Sequence, residues 1–207
     1  MDQFFLAITV LFHPVDTFRM IQMDRRRFHY LPPVVLLLLA FAARMFYLYQ
    51  VHFPLTELDV WNTTLWIEAV KFLLPIVTWI VALSAITAVM GGQSLFREIL
   101  LAVSLAFVPY LVFSPLLACL SRILCGEERA LYLLLSAGIW LWVGLLIWNS
   151  FRVMNSYTPW QATGVVALTV VGMAILWAIC VLIYALGNQL LDFFTGILAE
   201  IRIRFMQ

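Results

Sequence analysis

The stretch ATGVVALTVVGMAILWAICVLIYAL, residues 162–186, runs for 25 residues without one charged side chain. As a helix it is about 37 Å long at 1.5 Å per residue, enough to cross the roughly 30 Å hydrocarbon core of a bilayer. Working outward, four further stretches pass the same test, at roughly 31–50, 67–90, 99–119 and 130–151. The segments between them, FPLTELD, GGQSLFRE, SRILCGEER and MNSYTPW, are polar or rich in Gly and Pro, as turns are. Short links make neighbouring helices antiparallel. The expected fold is therefore an all-α integral membrane protein of five transmembrane helices, with short loops and amphipathic flanking segments.

Composition agrees with that reading. The chain is 65% hydrophobic and 11% charged, where a soluble domain stands near half and a quarter. A net charge of +1, from 12 basic and 11 acidic side chains, creates no overall field for nucleic acid or an acidic substrate. Charge instead sets orientation. Arg19, Arg25, Arg26 and Arg27 precede the first span, which puts the amino terminus in the cytoplasm. Five crossings then carry the carboxyl terminus outside, with Arg97 and Arg152 inside and Glu57, Asp59, Glu127 and Glu128 outside. Arg122, Arg129, Arg202 and Arg204 also fall outside, so the positive-inside rule is obeyed clearly only at the first helix. The opening MDQFFLAITVLF lacks a basic start and a cleavage site, so it is expected to remain in the mature chain.

Three regions follow: 1–30 as a cytoplasmic or interfacial amphipathic segment, 31–186 as the five-helix domain, and 187–207 as an outward amphipathic tail. Residues 3–23 mix Phe4, Phe5, Leu11, Phe12, Phe18 and Met20 with Asp16 and Arg19, and Pro14 breaks them. That suits a bent helix lying on the inner leaflet. In the tail, Leu190, Phe194, Ile197, Leu198, Ile201 and Phe205 recur at helical spacing beside Asp192, Glu200, Arg202 and Arg204. The closing EIRIRFM also alternates like a strand, which leaves 200–207 open between the two.

Catalysis needs nucleophiles, carboxylate pairs or metal ligands, and the spans carry almost none. There is no H-E-x-x-H, G-x-S-x-G, Walker loop or dinucleotide fingerprint. His13, His29 and His52 sit at separate interfaces. Cys119, Cys125 and Cys180 lack C-x-x-C spacing, and a Cys119–Cys125 bridge in an outward loop stays open. No catalytic residue, cofactor or metal site is therefore expected.

The polar residues that remain have structural readings beside functional ones. An arginine inside a span costs at least about 2.5–3.5 kcal/mol unless it meets water or a partner. Arg44, six residues before Gln50, can snorkel outward, or it can pair with Glu68, which shares a helical face with Lys71. Pro75, Pro109 and Pro115 each leave unpaired the carbonyl four residues earlier, giving an ion site at a broken helix or, as favoured here, a kinked packed helix. Ser84, Thr87, Ser104 and Asn149 read as interhelical hydrogen-bond partners. Gly138 with Gly144, and Gly164 with Gly172, offer close-packing faces. Trp61, Trp66, Trp140, Trp142, Trp148 and Trp160 are placed in an aromatic belt, and Asn62-Thr63-Thr64 is a glycosylation pattern common by chance. VMGGQSLFR from Val89 aligns with VMNSYTPWQ from Val153, which admits a duplicated hairpin. In that second turn Thr158 is the predicted N-cap, Pro159 the first helical residue and Gln161 the closing member of a capping box.

FHPVDTFRMIQ (12–22), GGQSLFREILLAVSLAFVPYLVFSPL (91–116) and MNSYTPWQATGVVALTVVGM (154–173) together resemble the Yip family, the Ypt/Rab-interacting membrane proteins, in its bacterial form. Their order, with Gly91-Gly92, Pro109 and Pro115, carries the likeness. The resemblance implies five helices and a cytoplasmic amino terminus. Eukaryotic members are tied to small GTPases through a long amino-terminal region, whereas only about 30 residues precede the first span here. Bacterial relatives often look like companions of carbohydrate import systems. The expected role is thus a non-enzymatic accessory or scaffold subunit in contact with the lipid bilayer and other integral membrane proteins, ABC importer permeases among them. The alternatives are a small transporter or channel, and a trafficking adapter that binds a small GTPase.

Overall fold

A computed structural model describes residues 3–23, 29–51, 64–124 and 128–205, with side chains from Leu6 to Thr195 within those ranges. The described residues form eight helices: α1 Gln3–Phe12, α2 Pro14–Met23, α3 Leu31–Gln50, α4 Leu65–Val89, α5 Phe96–Ala106, α6 Val108–Leu120, α7 Arg129–Met154 and α8 Pro159–Phe205. None of the described residues is in a strand. Five apolar units are long enough to cross a membrane, namely α3, α4, α5 with α6, α7, and α8 as far as Thr195.

Sequence chemistry explains most boundaries. Pro14 opens α2 after a non-helical His13, and the Thr17 hydroxyl donates to the His13 carbonyl at 2.9 Å. The predicted bend is there. The segment does not merely lie on a lipid surface, however, because Val10, Phe18 and Ile21 are fully buried. They pack with Leu101, Leu105 and Met154 under one end of the bundle. Prolines also open α3, where the missing N–H is harmless.

Two expectations about helix continuity need correction. The third span is not one helix: α5 ends at Ala106, Phe107 is a turn, and α6 begins at Val108 with Pro109 in its first turn. Pro109 cannot donate to Leu105, so the ladder stops one turn ahead of it. Pro75 and Pro115 are carried inside continuous α4 and α6. Conversely, the last span and the tail are one helix of 47 residues, about 70 Å at 1.5 Å per residue. Gly187 did not end it, because a lone glycine weakens a helix by only about 1 kcal/mol. The helix includes residues 200–205, so the strand reading of that stretch falls.

The broken third span is the centre. Of its most apolar stretch 67% is buried by the rest of the chain, against 6% in α8. Helix α3 packs chiefly on α6, α4 on α8, and α2 on α7, while α3 and α4 barely meet despite being consecutive. The loop chemistry shows the up-and-down order directly. At one end Arg122 donates to Gln50 and Tyr132 to Tyr47, and at the other Gln93 and Ser94 meet Asn155.

Helices α4 and α8 touch through small residues. A Cβ on Gly172 would come within 3.1 Å of Ile86 Cδ1, whereas Gly138, Gly144 and Gly164 face open space and form no close-packing face. Trp177 Nε1 donates to Thr78 Oγ1 at 3.2 Å, and from Trp177 to Thr195 every residue of α8 is exposed. The helix leaves the bundle there. Ser84, Thr87 and Ser104 do not bridge helices either: they donate to Val81, Leu83 and Leu101 of their own helices, the local bond a hydroxyl reaches most easily. Cys119 and Cys180 carry free thiols. Cys125, Trp61, the Asn62 pattern and Arg25–Arg27 lie outside the described residues.

Candidate functional site

Three constellations hold the polar chemistry. The first lies at the Gln50 end, where Arg44 and Glu68 are brought together at 3.7 Å and Lys71 reaches the other Glu68 oxygen at 3.2 Å. Glu68 is the buried member at 4% exposure, and Lys71 the exposed one. Pairing, rather than snorkelling alone, accommodates Arg44, whose guanidinium also lies 5.7 Å from the Tyr47 ring centre. Tyr110 stands beside Arg44 and Ser114, and the Tyr132 hydroxyl donates to Tyr47. The predicted triad thus sits inside a tyrosine cluster that the sequence did not disclose.

Directly beneath, Lys71, Phe72, Pro75, Trp79, Trp140 and Met173 line an apolar recess of about 270 Å³. Pro75 therefore faces a cavity, close to the point where α8 parts from α4. Its inner wall is an aromatic stack: Phe72 lies 5.9 Å from Phe107, and Tyr110 5.0 Å from Trp140. Trp140 and Trp142 accordingly belong to mid-helix ring packing, Trp142 against Phe113 at 5.8 Å, and not to a belt. Trp66 and Trp160 are exposed near helix starts, as a belt requires.

The second constellation joins the two turns at the opposite end. Gly91 adopts φ 69°, which glycine tolerates without a Cβ clash. Gly92 has no room for a side chain, since a Cβ would stand 2.3 Å from Thr87 Cγ2 and 2.9 Å from Asn155 Oδ1. That closeness lets Asn155 Oδ1 accept from the Gln93 N–H (3.1 Å), the Ser94 N–H (3.1 Å) and the Ser94 hydroxyl (2.7 Å). Asn155 in turn donates to Phe151 O at 3.1 Å. Tyr157 closes the joint. Burial raises its phenol above the ordinary 10.0.

The two turns are capped differently. Thr158 and Gln161 form the expected capping box, with bonds of 3.1 and 3.4 Å. The N-cap of α5 is Leu95, and the Glu98 carboxylate accepts its N–H at 3.1 Å while Ser94 turns to Asn155. Glu98 is 1% exposed. Sequence reasoning missed it and Asn155, although a glutamate three residues past a cap is a readable signal.

The third constellation gathers Arg19, Gln22, Arg152 and Ser156 around a polar recess near that same joint. Of the other named candidates, Leu190 and Phe194 are exposed on the projecting part of α8. Ile201, Arg202, Arg204 and Phe205 lie on its last turns, beyond the described side chains. No three His, Cys, Asp or Glu among the described residues converge as metal ligands would.

Residues 8–180 match the family model of the Yip1 domain. No curated protein and no solved structure matches the chain.

Proposed function

The chain belongs to the Yip family, multi-pass membrane proteins that carry the Yip1 domain, and from that premise we propose that it is a non-enzymatic accessory or scaffold subunit of a membrane protein complex. The observation that carries this reading is α8. From Trp177 to Thr195 it is exposed on all faces, and Val181, Leu182, Ile183, Leu190, Leu191, Phe193 and Phe194 all stand among the exposed large side chains. Lipid can cover the part within the bilayer. At about 70 Å the whole helix outruns a hydrocarbon core of roughly 30 Å, so its distal turns carry apolar side chains past it. Contact with another integral membrane protein would cover them, and the charges of Asp192, Glu200, Arg202 and Arg204 supply the polar rim such contacts use.

Bacterial ABC importer permeases for carbohydrates are the partner class favoured by the sequence resemblance. The same reading places the chain in a bacterial cytoplasmic membrane, amino terminus in the cytoplasm and carboxyl terminus outside. It makes the Gln50 end, with Arg44, Glu68 and Lys71, the outer one. A transporter would gather polar groups from several helices at mid-membrane, whereas this triad closes on itself toward one end.

The test is deletion of residues 188–207. The truncated chain should insert and keep its thermal transition in mild detergent while losing a membrane complex that co-purifies with the full chain. Retention of the complex at full strength would refute the role given to α8.

A further inference from the structure

Where α2 packs beneath α7, Arg19 and Gln22 face Asn149, Arg152, Ser156 and Tyr157 across a recess of about 290 Å³. Unlike the cavity beside Pro75, this one is polar. Its two arginines come from separate elements, and among the described residues neither has a carboxylate partner. Asp16, one turn before Arg19, makes no ion pair with it. Gln22 Nε2 donates to Ser156 Oγ at 3.2 Å, which ties α2 to the turn after α7 and holds the pocket in shape. The Arg152 guanidinium rests 5.7 Å from the Trp148 ring centre, fixed by a contact that leaves its charge unneutralised.

Two guanidinium groups converging on one recess repel each other, and a bound anion would reverse the sign of that interaction. The guanidinium fork matches tetrahedral phosphate oxygens. The Asn149 amide and the Ser156 hydroxyl add donors suited to a phosphate's ester oxygens and its hydroxyl-bearing substituent. The volume exceeds that of a phosphate alone. The position selects the source, because Arg152 is in the last turn of a membrane-crossing helix, with Val15 and Val153 also lining the recess. Basic pockets between helices at that depth meet lipid head groups.

We propose that the recess between Arg19 and Arg152 binds the phosphate of an anionic phospholipid from the leaflet at this end of the bundle. A free phosphate ion shares the chemistry, and the experiment separates the two.

The full chain is purified in mild detergent, and its thermal transition is titrated with phosphatidylglycerol, phosphatidylcholine or inorganic phosphate. Phosphatidylglycerol should stabilise it, with phosphatidylcholine and inorganic phosphate far weaker at equal concentration. In Arg19→Gln/Arg152→Gln the apparent affinity for phosphatidylglycerol should fall about thirtyfold, as the loss of two surface cations implies. Ser156→Asp provides the second variant: Ser156 already sits at φ 55°, a region aspartate tolerates, so the fold survives while a carboxylate enters the pocket. It should weaken phosphatidylglycerol similarly. Arg122→Gln, which removes one positive charge at the opposite end, should leave the affinity for phosphatidylglycerol unchanged. Unchanged affinity in Ser156→Asp overturns the proposal, as does equal stabilisation by phosphatidylcholine. Equal protection by inorganic phosphate assigns the pocket to a free anion and overturns the lipid source.

Discussion

Glu68 is the residue on which the charged end of the bundle turns. It is buried, and two cations approach it, Lys71 from its own helix at 3.2 Å and Arg44 from α3 at 3.7 Å. Either cation alone can balance the carboxylate, so the loss of one leaves a compensated charge and the loss of both strands it. Arg44→Leu and Lys71→Leu should each be mild, while the double variant loses at least about 1 kcal/mol more than their sum. Adding Glu68→Leu should recover most of that excess. Unfolding midpoints in detergent measure all of these, and strict additivity would show that the three charges do not share a site. The pairing of Glu68 with Lys71 could be read from their spacing of three. Tyr47, Tyr110 and Tyr132 could not, because they converge from three helices far apart in the chain.

At the scale of elements, the joint between the α4–α5 turn and the α7–α8 turn is the most specific polar contact among the described residues. Asn155 Oδ1 takes three donors there, two of them backbone N–H groups that a turn would otherwise leave unsatisfied. Asn155→Ala should lower stability by about 2–3 kcal/mol through those stranded donors. Asn155→Asp keeps an oxygen for the three donors but turns its second oxygen toward the Phe151 carbonyl in place of the donating N–H, so it should cost something, though less than Asn155→Ala. Equal losses in a thermal or denaturant transition would mean that the side chain's volume, and not its acceptor, holds the turns together. Both turns were visible as breaks rich in Gly, Asn and Ser. That they lock onto each other, through a Gly92 with no room for a Cβ, is a relation between residues more than sixty positions apart.

For the whole molecule, the proposed topology of five crossings puts the two ends of the chain on opposite sides of the membrane. A reporter fused after Gln207 should be accessible outside the cell, and one fused before Met1 should be protected. A cytoplasmic carboxyl terminus would mean that α8 returns or that one apolar helix fails to cross. The length of α8 makes this a real test, since the helix is long enough to cross with about 40 Å to spare.

By itself the sequence determined the five apolar units, the bend at Pro14, the capping box at Thr158 and the Glu68–Lys71 pair, because each rests on residues within a few turns of one another. Tertiary structure decided what stands next to what: the third span at the centre, α4 against α8, α3 almost apart from α4, and two arginines facing one recess. Lipid covers an apolar helix face as readily as another helix does, so hydrophobic periodicity in a membrane chain does not encode the neighbour. Shape does, as Gly172 admitting Ile86 shows and three other glycines facing open space confirm. The junction at residue 187 went the same way. Composition there changes from apolar to mixed, but helical hydrogen bonds depend on the backbone, and nothing in that backbone stops them before Phe205.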